Sequence, residues 1–274
     1  MLFTKVKAYI FQAGESAQQP VTNTGRFRNP GSKALVVAIT AALCLVMIEY
    51  LAKSPGFPLF ADFLRFLGFG KAADQFYHWA AYGNDAHFKG LIYWALCSFF
   101  FYAVVPLIVI KLVLRQRIRD FGLFRGNLRS EFRVFLLMLA IMLPIVWFIS
   151  DSASFQSRYP FYQPANDESL ATTFVWWEML YLLQFVGLEF FFRGFMVHGT
   201  REAIGANAVL FMMVPYCMIH FGKPLPEAIA AIIAGLALGY VSLKSRSIWI
   251  GVMLHYCVAI TMDFSALFRE GYFG

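Results

Sequence analysis

Glu189 and Arg193 stand four residues apart in Gly187-Leu188-Glu189-Phe190-Phe191-Phe192-Arg193-Gly194-Phe195, inside a stretch otherwise apolar enough to cross a bilayer. An acid or a base at membrane depth costs about 2.5–3.5 kcal/mol on insertion scales, so such residues mark functional sites by default. The i,i+4 spacing puts both on one helix face, where they can pair. Two readings follow. One is an ion pair that pins a helix to its neighbours, which is how buried charges are commonly tolerated. The other is a carboxylate held by a fixed cation and ready for proton transfer.

The surrounding residues bear on that choice. The last third of the chain also places Glu178, His220, His255 and Asp263 within apolar runs. The earlier runs contribute Glu49 near an end and Lys111, whose stem can snorkel to the interface. Glu178 precedes Glu189 by about three helical turns and falls roughly on the same face. His220 closes Phe211-Met212-Met213-Val214-Pro215-Tyr216-Cys217-Met218-Ile219-His220, with Tyr216 one turn before it. His255, Ala259 and Asp263 share a face at i, i+4 and i+8. Each has a plain reading alone: a packing histidine, an acid at a wet helix end, or a Glu178 that joins Trp176 and Trp177 in an interfacial aromatic belt. Together, two histidines and a carboxylate–guanidinium pair on three helices describe a site for acid–base chemistry. Their depths differ by about 10 Å at ~1.5 Å per residue, which helix tilt or a kink at Pro215 can absorb.

The elements that must position them are membrane helices. The chain is 59% hydrophobic and 14% charged, with mean hydropathy +0.61, whereas soluble domains are about 45–50% apolar and about 25% charged. The fold class is all-α, a polytopic transmembrane helix bundle of about seven to eight helices, since ~20 apolar residues cross the hydrocarbon core. Spans are expected near 33–52, 90–113, 134–150, 174–198, 205–221, 227–243 and 247–267. Residues 1–32 read as a cytoplasmic tail with an interfacial piece near Phe3–Phe11, 33–150 as amino-terminal membrane helices, and 174–267 as the functional core. Residues 57–70, with Asp62 and Arg65, are too short to span and begin an interfacial segment, 57–88. The net charge of +7 does not point to nucleic acid. Lys111, Arg115, Arg117, Arg119, Arg125, Arg129 and Arg133 lie between two spans, where topology-setting charge belongs. With Lys244 and Arg246 they put the amino terminus inside, and the 151–173 loop, with Asp151, Asp167 and Glu168, outside. Cys44, Cys97, Cys217 and Cys257 lie in apolar spans at no metal-like spacing. No cleavable leader is expected at the amino terminus. Ala231, Gly235 and Gly239 form a small-residue stripe suited to close helix packing.

Glu-x-x-x-Arg-Gly on one helix, an aromatic-x-x-x-His on the next, and Ser247-Ile248-Trp249 followed by His255 on the last resemble the CPBP family of intramembrane proteases. That family includes the CAAX prenyl endopeptidases and the bacterial Abi proteins. His220-Phe221-Gly222-Lys223-Pro224 and Arg246-Ser247-Ile248-Trp249 look like its bacterial members. Three positions depart from the family pattern: Leu188 replaces the first of two adjacent glutamates, Tyr216 replaces a phenylalanine, and Ala259 replaces an asparagine. Asp263, one turn further, could supply a polar group in place of that asparagine.

The resemblance implies a glutamate-dependent cut in or near the bilayer, in a bacterial inner membrane. Glu189 would take a proton from water, Arg193 would hold the carboxylate, and His220 and His255 would position the water or the oxyanion. Tyr216, Asp263 and Glu178 would support them. No cofactor is expected. A zinc set of Glu189, His220 and His255 has plausible ligand chemistry, but no His-Glu-x-x-His motif accompanies it. No Gly-x-Ser-x-Gly elbow or Cys/His pairing argues for a nucleophile. The implied partners are a membrane peptide or protein substrate and the lipid bilayer, without nucleic acid. A catalytically inactive membrane scaffold or bacteriocin-immunity protein is the alternative, which Leu188 and Ala259 favour. A transporter would show polar groups in paired halves, and this chain concentrates them in one third.

Overall fold

A computed structural model describes residues 29–53, 56–83, 86–124, 128–163 and 170–272. Most of the tail 1–32, including the piece at Phe3–Phe11, lies outside the described residues, as do Arg125, Asp167 and Glu168. Among the described residues the secondary structure is helical apart from one bridge between Leu123 and Ser247.

In chain order, α1 (Pro30–Ala52) is followed by the short helices α2 (Gly56–Phe66) and α3 (Gly70–Ala81). Then come α4 (Ala86–Leu114), α5 (Leu128–Ile149) and the single turn α6 (Ala153–Gln156). The rod α7 is continuous through Leu170–Glu189, Phe190–His198 and Gly199–Ile204, and α8 (Asn207–Met218), α9 (Leu225–Ser245) and α10 (Trp249–Arg269) complete the bundle. Six of these (α1, α4, α5, α7, α9 and α10) carry stretches long and apolar enough to cross a membrane. The chain is an integral membrane helix bundle.

One expectation needs correction. The predicted span 205–221 is a helix of 12 residues, about 18 Å at ~1.5 Å per residue against a ~30 Å hydrocarbon core. Gly205, at φ 60°, separates it from α7, and the chain turns back beyond Met218 through Gly222, at φ 84°. Within 57–88, α2 and α3 form a pair of short helices. Phe57 and Phe76 pack on Tyr93 of α4 at centroid distances of 4.8 and 5.5 Å, and Phe63, Phe66 and Phe69 stay exposed. Arg65 joins the pair by bridging Asp62 and Asp74, each at 2.7 Å.

The helix at the centre of the bundle is α7. Its most apolar window is 78% buried, against 11% for α5. Over Phe190–His198 its turns widen to the π form, a rare geometry that concentrates at functional sites. Every residue of that segment is buried. Gly194 is required there, because a Cβ would stand 2.7 Å from the Phe121 carbonyl oxygen. The predicted small-residue stripe is a packing seam: Gly235 faces Met213 and Tyr216, and Gly239 faces Val209 and Met212. The four cysteines are unpaired.

Charge separates the two ends. At one, buried Lys33 pairs with Glu202 at 3.1 Å, and the 118–123 loop docks on the turn after α9 through Ile248 N–H to the Gly122 carbonyl, 2.9 Å. At the other, the Phe161 N–H donates to Asp263 Oδ1 at 2.8 Å and the Tyr159 hydroxyl to Glu227 Oε2 at 2.9 Å. Burial holds the Tyr159 phenol well above its ordinary range, so this hydroxyl donates to Glu227 rather than ionising.

Candidate active site

Glu189 sits where α7 passes from α to π geometry, at zero exposure. Its Oε1 receives two cationic or donor groups. Arg193 Nη1 is 3.0 Å away, with side-chain exposures of 1% and 0%, and His255 Nδ1 of α10 is 2.6 Å away. The arginine contact is Coulombic. Its N–H vectors miss the oxygen, and no guanidinium nitrogen makes an aligned hydrogen bond. The guanidinium lies instead over the Tyr216 ring, 4.0 Å from its centroid, a geometry in which the ring's negative face attracts a desolvated cation. Glu189 Oε2 has no hydrogen-bond partner and points at Gly251, where any Cβ would overlap the carboxylate.

Tyr216 ties the remaining groups together from α8. Its hydroxyl is 2.9 Å from His255 Nε2, and its carbonyl is 2.9 Å from His220 Nδ1. A proline immediately before it, inside α8, lacks an N–H and crowds the preceding turn, which loosens the helix at the residue that faces the site. These contacts fix the tautomers through the hydrogen-bond network. A carboxylate accepts only, so His255 carries its proton on Nδ1 and accepts from Tyr216 at Nε2. A carbonyl accepts only, so neutral His220 carries its proton on Nδ1 and presents a bare Nε2. His220 lies in the turn beyond α8, where burial first and the Lys223 charge second push its imidazole down to about 4. It is therefore neutral near pH 7. His255 is the accessible member, at 18% side-chain exposure against 0% for Glu189.

The fold brings five of the predicted residues into one chain of contacts: Arg193, Glu189, His255, Tyr216 and His220. It keeps the other two apart. Asp263 accepts from the Phe161 N–H and, at 3.3 Å, from Trp177 Nε1, and Glu178 lies beside it. Two turns of α10 separate Asp263 from His255, so Asp263 does not stand in for the group missing at Ala259. Glu178 likewise belongs to the far end of the bundle, although it shares a helix with Glu189. What joins the two regions is a stripe at i, i+4 and i+8 on α7. Trp177 stacks on Tyr181 at 4.9 Å, Tyr181 packs at a tilt against Phe185 at 4.5 Å, and Phe185 stacks on the His255 ring at 5.1 Å.

The glutamate and two histidines do not form a zinc cage as they stand. Both nitrogens of His255 are engaged, and one of His220 is. Among the described residues no three of His, Cys, Asp and Glu gather as metal ligands. No step below runs through a metal.

Three contributors were not read from the sequence. Gly251 lies one turn before His255 on the same face, and what it contributes is room for the Glu189 carboxylate. Phe185 lies one turn before Glu189. His198, 1% exposed, bonds Ser242 Oγ at 3.1 Å and Arg201 Nη1 at 3.0 Å, and that serine reaches the Arg193 carbonyl at 3.4 Å.

Residues 170–261 match the family described as type II CAAX prenyl endopeptidase Rce1-like. The resemblance to the CAAX protease family is thereby shown. The matched CAAX-protease-like segment runs from the start of α7 into α10 and contains all five converging residues. No curated protein and no solved structure matches the chain.

Proposed function

We propose that this protein is an intramembrane endopeptidase in which the Glu189–His255 pair activates the attacking water. One observation carries the reading. In an apolar bundle, a fully buried carboxylate is spent on orienting the imidazole of a partly exposed histidine, at 2.6 Å. A structural ion pair with Arg193 would have no use for that second contact.

The chemistry is general-base hydrolysis. Water gives a proton to the pair, and its oxygen bonds to the scissile carbonyl carbon. The carbonyl π electrons move to oxygen. On collapse the C–N bond breaks, the proton passes to the leaving amine, and a carboxylic acid and an amine result. Glu189 offsets the charge that arrives on His255, and Arg193 holds Glu189. The bare Nε2 of His220 accepts a hydrogen bond from the water and orients it. The aromatic stripe ending on His255 suits a substrate that reaches the site through the bilayer. A peptide anchored by a lipid or an apolar segment is the substrate class this favours, and a prenylated carboxyl-terminal peptide of the kind named in the family description is one case. The basic end of the bundle, with Lys33, Arg201 and Arg246, supports an inside amino terminus by the positive-inside bias.

The test is cleavage of a single-pass reporter peptide, flanked by fluorophore and quencher and reconstituted with the purified protein in vesicles. Glu189→Ala is expected to abolish it. Equal rates for the two proteins would overturn the enzyme reading and return the chain to a binding scaffold.

A further inference from the structure

We propose that Tyr216 is itself a catalytic residue: its hydroxyl donates to the oxyanion formed from the scissile carbonyl, and the proton that His255 receives releases it to do so. The proposal rests on the peptidase reading above and assigns the oxyanion donor of that reaction.

The argument starts from hydrogen-bond capacity. A neutral imidazole has one donor and one acceptor. Nδ1 of His255 faces the Glu189 carboxylate at 2.6 Å and is the donor, so Nε2 is the acceptor and the Tyr216 hydroxyl, at 2.9 Å, is its donor. In the resting protein this O–H is satisfied and Nε2 is capped. When the phenol proton passes to Nε2 and the proton of the attacking water replaces it on the Tyr216 oxygen, the Nε2 lone pair is gone and it can no longer accept. It then donates to the phenol oxygen, and the proton now on the phenol must find another acceptor. Tyr216 is 1% exposed, and among the described residues its hydroxyl bonds no other acceptor. An orphaned donor in an apolar bundle is costly. At the same moment negative charge appears on the substrate oxygen, and that oxygen is the acceptor the phenol lacks. Donor release and oxyanion formation are thus the same proton movement.

One further feature fits this role. The Arg193 guanidinium over the Tyr216 ring, 4.0 Å from its centroid, favours negative charge at the phenol oxygen and strengthens its O–H as a donor. The competing candidates fail on chemistry. Neutral His220 has its proton on the Tyr216 carbonyl and has no second N–H, while Leu188 and Ala259 have nothing to donate.

The step balances. The O–H bond of water breaks as its proton moves to the Tyr216 oxygen, the phenol O–H breaks to form Nε2–H of His255, the water oxygen bonds to carbon, and the carbonyl pair moves to an oxygen that accepts from Tyr216. Collapse returns that pair to the carbonyl, expels the amine, and relays a proton from Nε2 through the Tyr216 oxygen to the amine nitrogen. Tyr216 then bonds Nε2 again.

Tyr216→Phe isolates the hydroxyl, because the ring, the cation contact and the carbonyl all remain. With the vesicle reporter, kcat is expected to fall about 10²–10³-fold, the size of a lost oxyanion donor, with KM within about twofold and an unchanged melting profile. A Tyr216→Phe protein as fast as wild type, alongside an inactive Glu189→Gln, overturns this proposal and leaves the peptidase reading standing. Wild-type activity in Glu189→Gln overturns the peptidase reading itself.

Discussion

Replacing Gly251 with alanine opposes two effects of known sign. In a helix, alanine is ordinarily the better residue by roughly 0.5–1 kcal/mol, so a glycine with no special task gains stability from the change. At Gly251 the new Cβ would fall 2.8 Å from Glu189 Cδ, whereas carbon atoms pack best at about 3.5–4.0 Å. The carboxylate must therefore retreat by roughly 0.7–1.2 Å, away from the backbone of α10 that carries His255. A misplacement of about 1 Å at a reacting group costs on the order of 10²-fold in rate, which is about 2.7 kcal/mol at 1.36 kcal/mol per decade. Overpacking adds about 1–3 kcal/mol of destabilisation, partly offset by the helix preference. The expected protein is folded, slightly less stable, and about 10²-fold lower in kcat/KM on the vesicle reporter. Gly70→Ala, at a helical glycine with open space around its would-be Cβ, is the control and is expected to lose neither activity nor stability. A Gly251→Ala protein that is fully active and more stable than wild type would refute the placement of Glu189 against this backbone.

Two further outcomes follow from the same packing. Arg193→Met alone leaves the buried Glu189 charge without its cation and is expected to cost about 3–5 kcal/mol in an SDS titration, while Glu189→Gln/Arg193→Met together cost far less; additive losses would mean the charges do not interact. Gly239→Val places a Cβ 2.6 Å from Val209 Cγ1 and 3.0 Å from Met212 Cε, so it is expected to destabilise by about 1–3 kcal/mol and to slow cleavage by shifting α8, which carries Tyr216. Unchanged melting and cleavage in this variant would remove the seam between α8 and α9 as a positioning element.

Membrane helices were legible because the signal is redundant. Twenty apolar residues in a row admit few alternatives, and the predicted spans fall on α1, α4, α5, α7, α9 and α10 with end shifts of a few residues. The exception, 205–221, is apolar enough to mislead, and only the backbone at Gly205 and Gly222 limits its length. The polar residues of the site were visible as expensive groups in apolar runs, but their partners were not. Helical spacing correctly paired Glu189 with Arg193. It grouped Asp263 with His255 because i and i+8 share a face, yet sharing a face says nothing about what packs at each level. The loop residue Phe161 and the α7 residue Trp177 claim Asp263, and both contacts are remote in sequence. Gly251 was hidden for a different reason: its contribution is the absence of a side chain, which no periodicity registers.

The departures from the family pattern look different once packing is considered. Leu188 is 6% exposed within the main apolar cluster, among residues such as Tyr102, Phe191 and Phe192. Ala259 is 5% exposed within a second apolar cluster, with Trp177, Tyr181 and Phe185. In this chain neither position opens onto a polar cavity left short of a partner; each is filled by carbon packed on carbon. The contact line from Arg193 through Glu189, His255 and Tyr216 to His220 passes both positions by and has no gap. The residue that closes it is Tyr216, the third departure, whose hydroxyl supplies a polar atom where a phenylalanine would have none. A chain that had merely lost function would be expected to lose polar groups from the site without gaining one. Here two polar groups are absent and one is added, at the atom of His255 that faces away from Glu189. That exchange is what a rewired site requires, and under the proposed mechanism it puts the weight on the Tyr216 hydroxyl rather than on Leu188.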